Sequence, residues 1–310
     1  MIVLDAARTA AALPFDRLIP TLRAAFVTGA EVPLRHRHDL AQPDGTTSAL
    51  LLMPAWRAGG LLGVKVVSVF PGNGARNLPA VSSSYLLCDG ETGQHLALID
   101  GGEITGRRTA AASALAASFL ARDDAASLLI VGSGHIAGLL ADAYRAVRPI
   151  ERVLIWNIRP AGAERLAERL RGEGYAAEAI TDLAAAVASA DIVSCATLAR
   201  APLIRGEWLR PGTHLDLIGG FTPAMREADD DAVRRARVFI DTDAALAESG
   251  DLIDPIAHGI LRREDVAGSL FSLCRDETPG RRAPDEITLF KSVGSALEDL
   301  AAAGLAFQAK

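Results

Sequence analysis

The sequence is poor in cysteine, has no basic excess and lacks a long hydrophobic run. Its three cysteines, Cys88, Cys195 and Cys274, are odd in number and far apart, a pattern that predicts buried free thiols in a reducing compartment. The net charge of −6 lacks the basic footprint of nucleic-acid binding. No apolar run approaches the roughly 18 residues of a membrane span, and no basic segment precedes an apolar core as in a signal peptide. We therefore expect a cytoplasmic protein with no membrane or nucleic-acid partner.

Metal-binding patterns are also missing. His36 and His38 alternate with Arg35 and Arg37, but they lack acidic or cysteine companions at the spacing of a metal site. We see neither a Ser-His-Asp spacing nor a paired-cysteine motif. The sequence therefore predicts no metal.

What is present is the balance of a soluble globular protein. The 310 residues are 50% hydrophobic and 23% charged, which is enough chain for two domains. From about 123 to 243, apolar strand patterns alternate with helical ones. Such alternation predicts an α/β fold with a Rossmann-type doubly wound parallel sheet. The predicted strands are 127–132, 152–157, 191–197, 213–219 and 236–242.

The beginning of the chain follows another pattern. Residues 61–70 and 82–100 are rich in strand formers, and the turn DGETG divides the second run into a hairpin. Residues 108–121 predict a helix, and 288–309 a second long helix that packs back on this domain. We therefore expect a discontinuous α+β domain for substrate binding and dimerisation, residues 1–115 with 290–310, and a dinucleotide-binding domain, residues 116–289.

The most specific local motif is a glycine-rich turn between a strand and a helix. LLIVGSGHIAG places Gly132, Ser133, Gly134, His135, Ile136 and Ala137 in the pattern G-x-G-x-x-A. In dinucleotide-binding folds the first glycine allows the tight turn and the second allows close approach of the pyrophosphate to the helix N-terminus. We assign residues 132–136 to a cofactor site, with His135 at a variable position; the alternative is a strand–helix turn without a ligand.

The residues after the second strand indicate which cofactor binds. An acid there usually holds the ribose of NAD, but this strand is followed by Asn157 and Arg159, which can donate to a 2′-phosphate. We therefore prefer NADP to NAD; the alternative is that Arg159 is only a solvated loop charge. We also assign Thr197, Leu198 and Lys291 to the cofactor site.

Cationic residues in the first domain are candidates for binding an anionic substrate. Lys65 is flanked by valines in GVKVV, and a buried lysine is costly without a partner. A substrate carboxylate would supply that partner; the alternative is a lysine on the solvent face of a sheet. Arg35 and Arg108 are further candidates.

The chain resembles the ornithine cyclodeaminase and mu-crystallin family over nearly its whole length. The resemblance rests on MPAW, GVKVVSVFPGN, LLCDGETGQHLALIDGGEITGRRTAAASALA, GSGHIA, GEWLRPGTHLDLIGG, MREADD and LFKSVGSALED. It implies a homodimer that uses the strands of the first domain, and an active site between the domains. It also implies that Arg35, Lys65 and Arg108 bind a substrate carboxylate. The mu-crystallin branch has Asn-Arg-Thr after the second strand, where this chain has Asn157 but displaces the arginine to Arg159.

Two departures from the family pattern bear on the reaction. The cyclodeaminase branch has a catalytic aspartate where this chain has Phe221, and a glutamate where it has Leu51. Neither apolar residue can move protons, and Phe221 suits an apolar substrate wall. We therefore predict an NAD(P)H-dependent reductase of cyclic ketimine acids, with Lys65 and Arg108 as catalytic residues. The alternatives are an ornithine cyclodeaminase, an amino-acid (alanine) dehydrogenase, and a cofactor-binding protein without activity.

Overall fold

The chain forms two units in a computed structural model that describes residues 1–76 and 78–309, with only the backbone at 74 and 75. The first unit is Met1–Arg108 with the segment from Ser295 onward, and the second is Thr109–Gly294. The sequence predicts the two domain boundaries at 115/116 and 289/290, whereas the structure divides the chain at 108/109 and 294/295. The later boundary differs because residues 288–291, on both sides of the predicted position, form one strand (Thr288–Lys291) of the second unit's sheet.

The first unit is built on a six-stranded sheet. Its strands, in the spatial order β1-β6-β5-β4-β3-β2, are antiparallel except for the β1–β6 pair. Elements are numbered along the chain: β1 (Ile2–Leu4), α1 (Ala6–Ala12), α2 (Phe15–Thr28), β2 (His36–Ala41), β3 (Thr47–Trp56), β4 (Leu61–Val69), β5 (Val81–Asp89), β6 (His95–Asp100) and α11 (Ala296–Gln308). Helix α3 (Gly101–Leu120) contributes residues to both units.

The two faces of this sheet differ in burial. Lys65 and Val67 of β4 and Tyr85 and Leu87 of β5, all at odd-numbered positions, are buried on the face that packs against α11. The register places Leu98, Leu86 and Val64 side by side on the opposite face. These residues are only partly buried or exposed, so an apolar surface remains accessible. We call it the open sheet face and define it as Val3, Leu52, Val64, Val66, Leu86 and Leu98.

The second unit contains an eight-stranded sheet in which every pair is parallel. The strand order is β13-β12-β14-β11-β10-β7-β8-β9. Its strands are β7 (Ser127–Val131), β8 (Arg152–Trp156), β9 (Ala176–Ala179), β10 (Ile192–Cys195), β11 (His214–Leu217), β12 (Arg237–Ile240), β13 (Gly268–Ser269) and β14 (Thr288–Lys291). Its helices are α4 (Ala137–Arg145), α5 (Pro160–Gly172), α6 (Leu183–Ser189), α7 (Asp230–Arg235), α8 (Ala245–Glu248), α9 (Gly250–Ala257) and α10 (Leu270–Cys274).

Continuous apolar strands explain the core of this unit. Leu129, Val131, Val193, Leu215 and Leu289 are fully buried, as expected for a parallel sheet covered on both faces. The predicted α/β fold class is confirmed. Cys88, Cys195 and Cys274 are free and buried. Within 1–76 and 78–309, no helix is long and apolar enough to cross a bilayer.

The predicted helix 288–309 is wrong in its first part. Residues 288–291 form β14, which lies between β11 and β12, and α11 begins only at Ala296. Two local features separate the elements. Asp241 accepts hydrogen bonds from Ser292 Oγ and from the N–H groups of Val293 and Gly294. Ser295 caps α11 by accepting from the Leu297 N–H at 3.1 Å.

The predicted helix 108–121 begins earlier than expected. Helix α3 starts at Gly101, directly after β6. Asp100 explains this start because its carboxylate accepts from the Glu103 N–H at 2.8 Å, which satisfies a donor of the first turn.

Candidate active site

A cleft of about 670 Å³ lies at the carboxyl ends of β7, β8 and β10. The chain runs from β7 to β8 and β9 on one side, and β10 and β11 lie on the other side of β7. This reversal is the topological switch point at which open α/β sheets bind ligands. The fold therefore places the glycine-rich turn where a dinucleotide binds in such sheets.

The glycine-rich turn forms one wall of this cleft through Gly132, Ser133 and Gly134. Gly132 has φ +119°, and a Cβ there would lie 2.6 Å from the carbonyl oxygen of Ala196, so only glycine fits without a shift. His135 is exposed in the turn, and Ile136 is the N-cap of α4. Ile136 makes no side-chain cap hydrogen bond, and the N–H groups of Gly138 and Leu139 donate to the carbonyls of Gly134 and Ile136. The positive end of the α4 dipole behind the turn still favours a phosphate.

The end of β8 forms a second wall. Asn157 and Arg159 line the cleft, and Asn157 Nδ2 donates to the Arg159 carbonyl at 3.0 Å. Arg165, on α5, also lines the cleft on this side, and sequence reasoning missed it. No carboxylate is among the described residues that line the cleft. Two guanidinium groups without an acid favour an anionic ligand over a ribose hydroxyl.

The loop after β10 supplies the third wall. Thr197 and Leu198 line the cleft, and Leu198 is 70% exposed; their predicted role in cofactor binding stays a prediction. Lys291 does not line the cleft. Its fully buried ammonium pairs with Asp251 Oδ2 at 2.9 Å, close to Gly220.

Phe221 follows the glycine pair at the end of β11. Its side chain is 43% exposed, so an aromatic surface stands at the carboxyl edge of the sheet. The role predicted for it in substrate binding stays a prediction.

In the first unit, Lys65 and Arg108 share one carboxylate on α11. Lys65 Nζ lies 2.7 Å from Asp299 Oδ2, and Arg108 Nε donates to Asp299 Oδ1 at 3.0 Å. Arg108 also donates to Glu298 Oε2 at 2.9 Å. All four side chains are buried. The buried lysine therefore does have a partner, but that partner is Asp299 rather than the substrate carboxylate that the sequence analysis invoked.

This environment changes the acidity of Lys65. Burial lowers the pKa of the Lys65 ammonium to about 8, and the charge of Asp299 opposes that decrease. Lys65 also donates to Thr105 Oγ1 at 3.2 Å. An ammonium with this pKa remains mostly protonated at neutral pH and gives up its proton more readily than an ordinary lysine.

Arg35 lies apart from this cluster, immediately before β2. His36 pairs with Leu52, and the following residue of β3, Met53, pairs with Lys65. Arg35 is thus about two strands away from Lys65 in the sheet. That Arg35 binds the substrate carboxylate together with Lys65 and Arg108 stays a prediction.

Sequence reasoning missed four buried carboxylates that pair with the buried cations or hold the loops of the cleft: Glu227, Asp251, Glu298 and Asp299. Two acids at consecutive positions of a largely apolar helix, as in SALEDLAAAG, were the signal available for Glu298 and Asp299. The part of the chain that the structure describes contains no group of three or more His, Cys, Asp or Glu side chains suited to a metal.

Comparisons with known proteins agree with this fold. The model of the ornithine cyclodeaminase/mu-crystallin family matches residues 1–309. Delta(1)-pyrroline-2-carboxylate reductase of Paracoccus denitrificans is 47% identical over 263 residues, covering 84% of this chain and 82% of the relative. The solved structure of Thermococcus litoralis Delta(1)-pyrroline-2-carboxylate reductase with NADH and L-proline has a TM-score of 0.93 and 34% identity, covering 100% of this chain and 97% of the other. An archaeal alanine dehydrogenase dimer with bound NAD has a TM-score of 0.91 and 27% identity, covering 100% and 95%.

The fold and the cleft thus define a dinucleotide-binding α/β protein. The chain belongs to the ornithine cyclodeaminase/mu-crystallin family, since the family model spans almost its entire length. The predicted resemblance is confirmed.

Proposed function

We propose that this protein is an NAD(P)H-dependent reductase of cyclic ketimine carboxylates, converting pyrroline-2-carboxylate or piperideine-2-carboxylate to proline or pipecolate. Phe221 is the observation that favours imine reduction over ornithine cyclodeamination. It places an apolar ring where the cyclodeaminase branch has a catalytic aspartate, and a phenyl ring cannot move protons. The similarity to reductases of pyrroline-2-carboxylate supports the same choice.

The walls of the cleft fit a nicotinamide dinucleotide. When bound, this cofactor supplies the hydride that reduces the imine carbon. Residues 132–134 and the start of α4 would hold the pyrophosphate. Asn157, Arg159 and Arg165 would hold a 2′-phosphate, so we expect NADPH to bind more tightly than NADH.

Lys65 and Arg108 of the first unit would bind the substrate carboxylate. The Lys65 ammonium has three N–H groups, and Asp299 and Thr105 account for two contacts. The remaining donor would orient the carboxylate, or would deliver the proton that the imine nitrogen gains as its carbon takes the hydride. Both roles require protonated Lys65, and Asp299 favours that form.

The decisive experiment follows NADPH oxidation in the presence of pyrroline-2-carboxylate, with piperideine-2-carboxylate and L-ornithine in parallel. We expect an imine-dependent rate, and a loss of about 100-fold or more in kcat/KM for Lys65→Met. Lys310→Met changes the same residue type outside the described residues and is the control. Release of ammonia from ornithine without turnover of either imine would contradict the reductase and favour the lyase.

The cofactor preference has a separate test by calorimetric titration. Replacing Arg159 and Arg165 by alanine should weaken NADPH binding by about tenfold or more and change NADH binding less than about twofold. Arg152→Ala, at the amino end of the same strand β8, is the matched control. Equal losses of affinity for NADPH and NADH would show that these arginines do not bind the 2′-phosphate.

We further propose that the protein is a homodimer that associates through the open sheet face. Val3, Val66 and Leu98 are 57%, 38% and 37% exposed on one apolar surface, which is typical of an interaction site. Sedimentation analysis should give a dimer for the wild type and a monomer for Val66→Glu combined with Leu98→Glu. Val27→Glu introduces the same charge at a 47% exposed position of α2 and should remain dimeric. A wild-type monomer would refute this assembly.

The three buried free thiols support a place in the cytoplasm. Cell fractionation tests this location, and recovery with a secreted fraction would contradict it.

A further inference from the structure

A fully buried carboxylate in the second unit joins two loops at the carboxyl edge of the sheet. Glu227 Oε1 accepts from the N–H of Thr197 at 2.8 Å and from its hydroxyl at 2.7 Å. Glu227 Oε2 accepts from the N–H groups of Gly219 at 2.9 Å and Gly220 at 3.2 Å. One side chain therefore satisfies three backbone donors and one hydroxyl, which requires a group that only accepts.

These bonds connect directly to the cofactor cleft. Thr197 follows β10 and lines the cleft together with Leu198 and Ala199. Gly219 follows β11, and a Cβ there would collide with the backbone of Thr197. The two loops are thus in close contact, and Glu227 fixes the Thr197 loop against the rigid end of β11.

The surroundings of Glu227 hold its carboxylate in place. Asp251 Oδ1 accepts from the Glu227 N–H at 2.7 Å, and Asp251 Oδ2 pairs with Lys291 at 2.9 Å. The backbone carbonyl of Glu227 accepts from Leu203, which also lines the cleft. Both the main chain and the side chain of Glu227 therefore hold the 197–203 loop.

We propose that Glu227 is a positioning residue for the dinucleotide, acting through Thr197 to hold one wall of the cofactor cleft. It does not itself touch the cofactor, because it is fully buried. This inference rests on the proposed cofactor site. Preorganised walls raise affinity because less conformational freedom is lost on binding.

The test is Glu227→Gln, in which an amide NH2 faces backbone N–H donors and cannot accept from them. We expect the Kd for NADH, measured by calorimetry, to rise about tenfold. The KM for NADH should rise similarly while the KM for the imine stays within about twofold, a split that general destabilisation would not produce. Backbone amide exchange should accelerate at Thr197–Ala199.

Asp191→Asn is the matched control. Asp191 also accepts from backbone N–H groups, those of Ala126 and Ser127, but near the start of β10, at the opposite edge of the same sheet. It should leave the Kd for NADH within about twofold of wild type. If Glu227→Gln does not fold, Glu227→Asp keeps the charge but is one methylene shorter, and it should weaken NADH binding in the same direction.

The outcomes separate the two proposals. If the wild type binds neither NADH nor NADPH, the proposed function fails. If the wild type binds either cofactor and a folded Glu227 variant binds that cofactor equally well, only the positioning role fails. Equal losses in Glu227→Gln and Asp191→Asn would also overturn the positioning role, since the effect would then be general.

Discussion

Each unit buries a cluster of charges, but the two clusters are balanced in different ways. The first contains two cations and two carboxylates, Lys65 and Arg108 with Glu298 and Asp299. The second contains one cation and two carboxylates, Lys291 with Asp251 and Glu227, and backbone N–H groups supply the remaining donors. Side chains therefore neutralise one cluster, whereas peptide dipoles support the other. The first cluster should be sensitive to the loss of an acid, and the second to the loss of its cation.

The largest effect is expected for Asp299→Leu. This change removes the buried carboxylate that Lys65 and Arg108 share, and an uncompensated buried charge costs about 3–5 kcal/mol. Urea unfolding measures the loss. Asp39→Leu, which breaks an exposed pair with Arg37, should cost at most about 1 kcal/mol. Similar losses in the two variants would mean that the buried cluster contributes no more than a surface pair.

A smaller effect is expected for Lys291→Met, because backbone donors still hold Glu227 and Asp251. Burial raises the pKa of Glu227 to about 7 from 4.5, and Lys291 opposes that rise. Removing Lys291 should raise this pKa further. The unfolding free energy should fall by about 3 kcal/mol at pH 8 and by less at pH 6, where the carboxyl gains a proton.

Urea unfolding at the two pH values checks that prediction. In the wild type, the stabilising contribution of Glu227 protonation is complete below pH 4.5 and is lost as the pH rises through 7. A deficit for Lys291→Met that grows as the pH falls would contradict this assignment of charges.

The pH profile of the reaction tests the role of the first cluster. Because the pKa of Lys65 is about 8, kcat for imine reduction should fall about tenfold per pH unit above that value as the ammonium deprotonates. Lys65→Arg keeps the positive charge and should move this decline to higher pH, although with a lower rate. An unchanged decline in Lys65→Arg would assign it to another group.

The smallest effect is expected for Asp216→Asn. Ser113, Ser194 and Tyr144 donate to this buried acid, and burial raises its pKa to about 6 from 3.8. Its stabilising contribution is therefore complete below pH 3.8 and is lost as the pH rises through 6. Between pH 5 and 7, Asp216 should lower the unfolding free energy of the wild type by about 1 kcal/mol. Asp216→Asn should lack this decrease, and urea unfolding at the two pH values measures the difference. The same decrease in both proteins would assign it to groups other than Asp216.

The sequence predicted best those features of the fold and the site that depend on residues close together in the chain. The glycine-rich turn, the strands around it and Asn157 with Arg159 follow from short-range patterns, and the structure places the turn, Asn157 and Arg159 at one cleft with Thr197 and Leu198. Lys291 does not line this cleft. It pairs with Asp251, 40 residues away along the chain, and no short-range pattern reveals such a contact. The first part of the final predicted helix was wrong because the place of β14 in the sheet depends on strands distant in sequence. Helical periodicity alone could not reveal that Asp299 contacts Lys65.

The separation of Arg108 from Asp299 by 191 residues also matters during synthesis. A ribosome completes Lys65 and Arg108 long before it makes the helix that neutralises them, whereas all residues of the second unit emerge before that helix does. We therefore expect the second unit to fold on the nascent chain while the first waits for α11. A truncated product that lacks α11 would leave Lys65 and Arg108 without the carboxylates of Glu298 and Asp299 and would uncover the sheet face against which α11 packs. Quality control could distinguish such a product by these features.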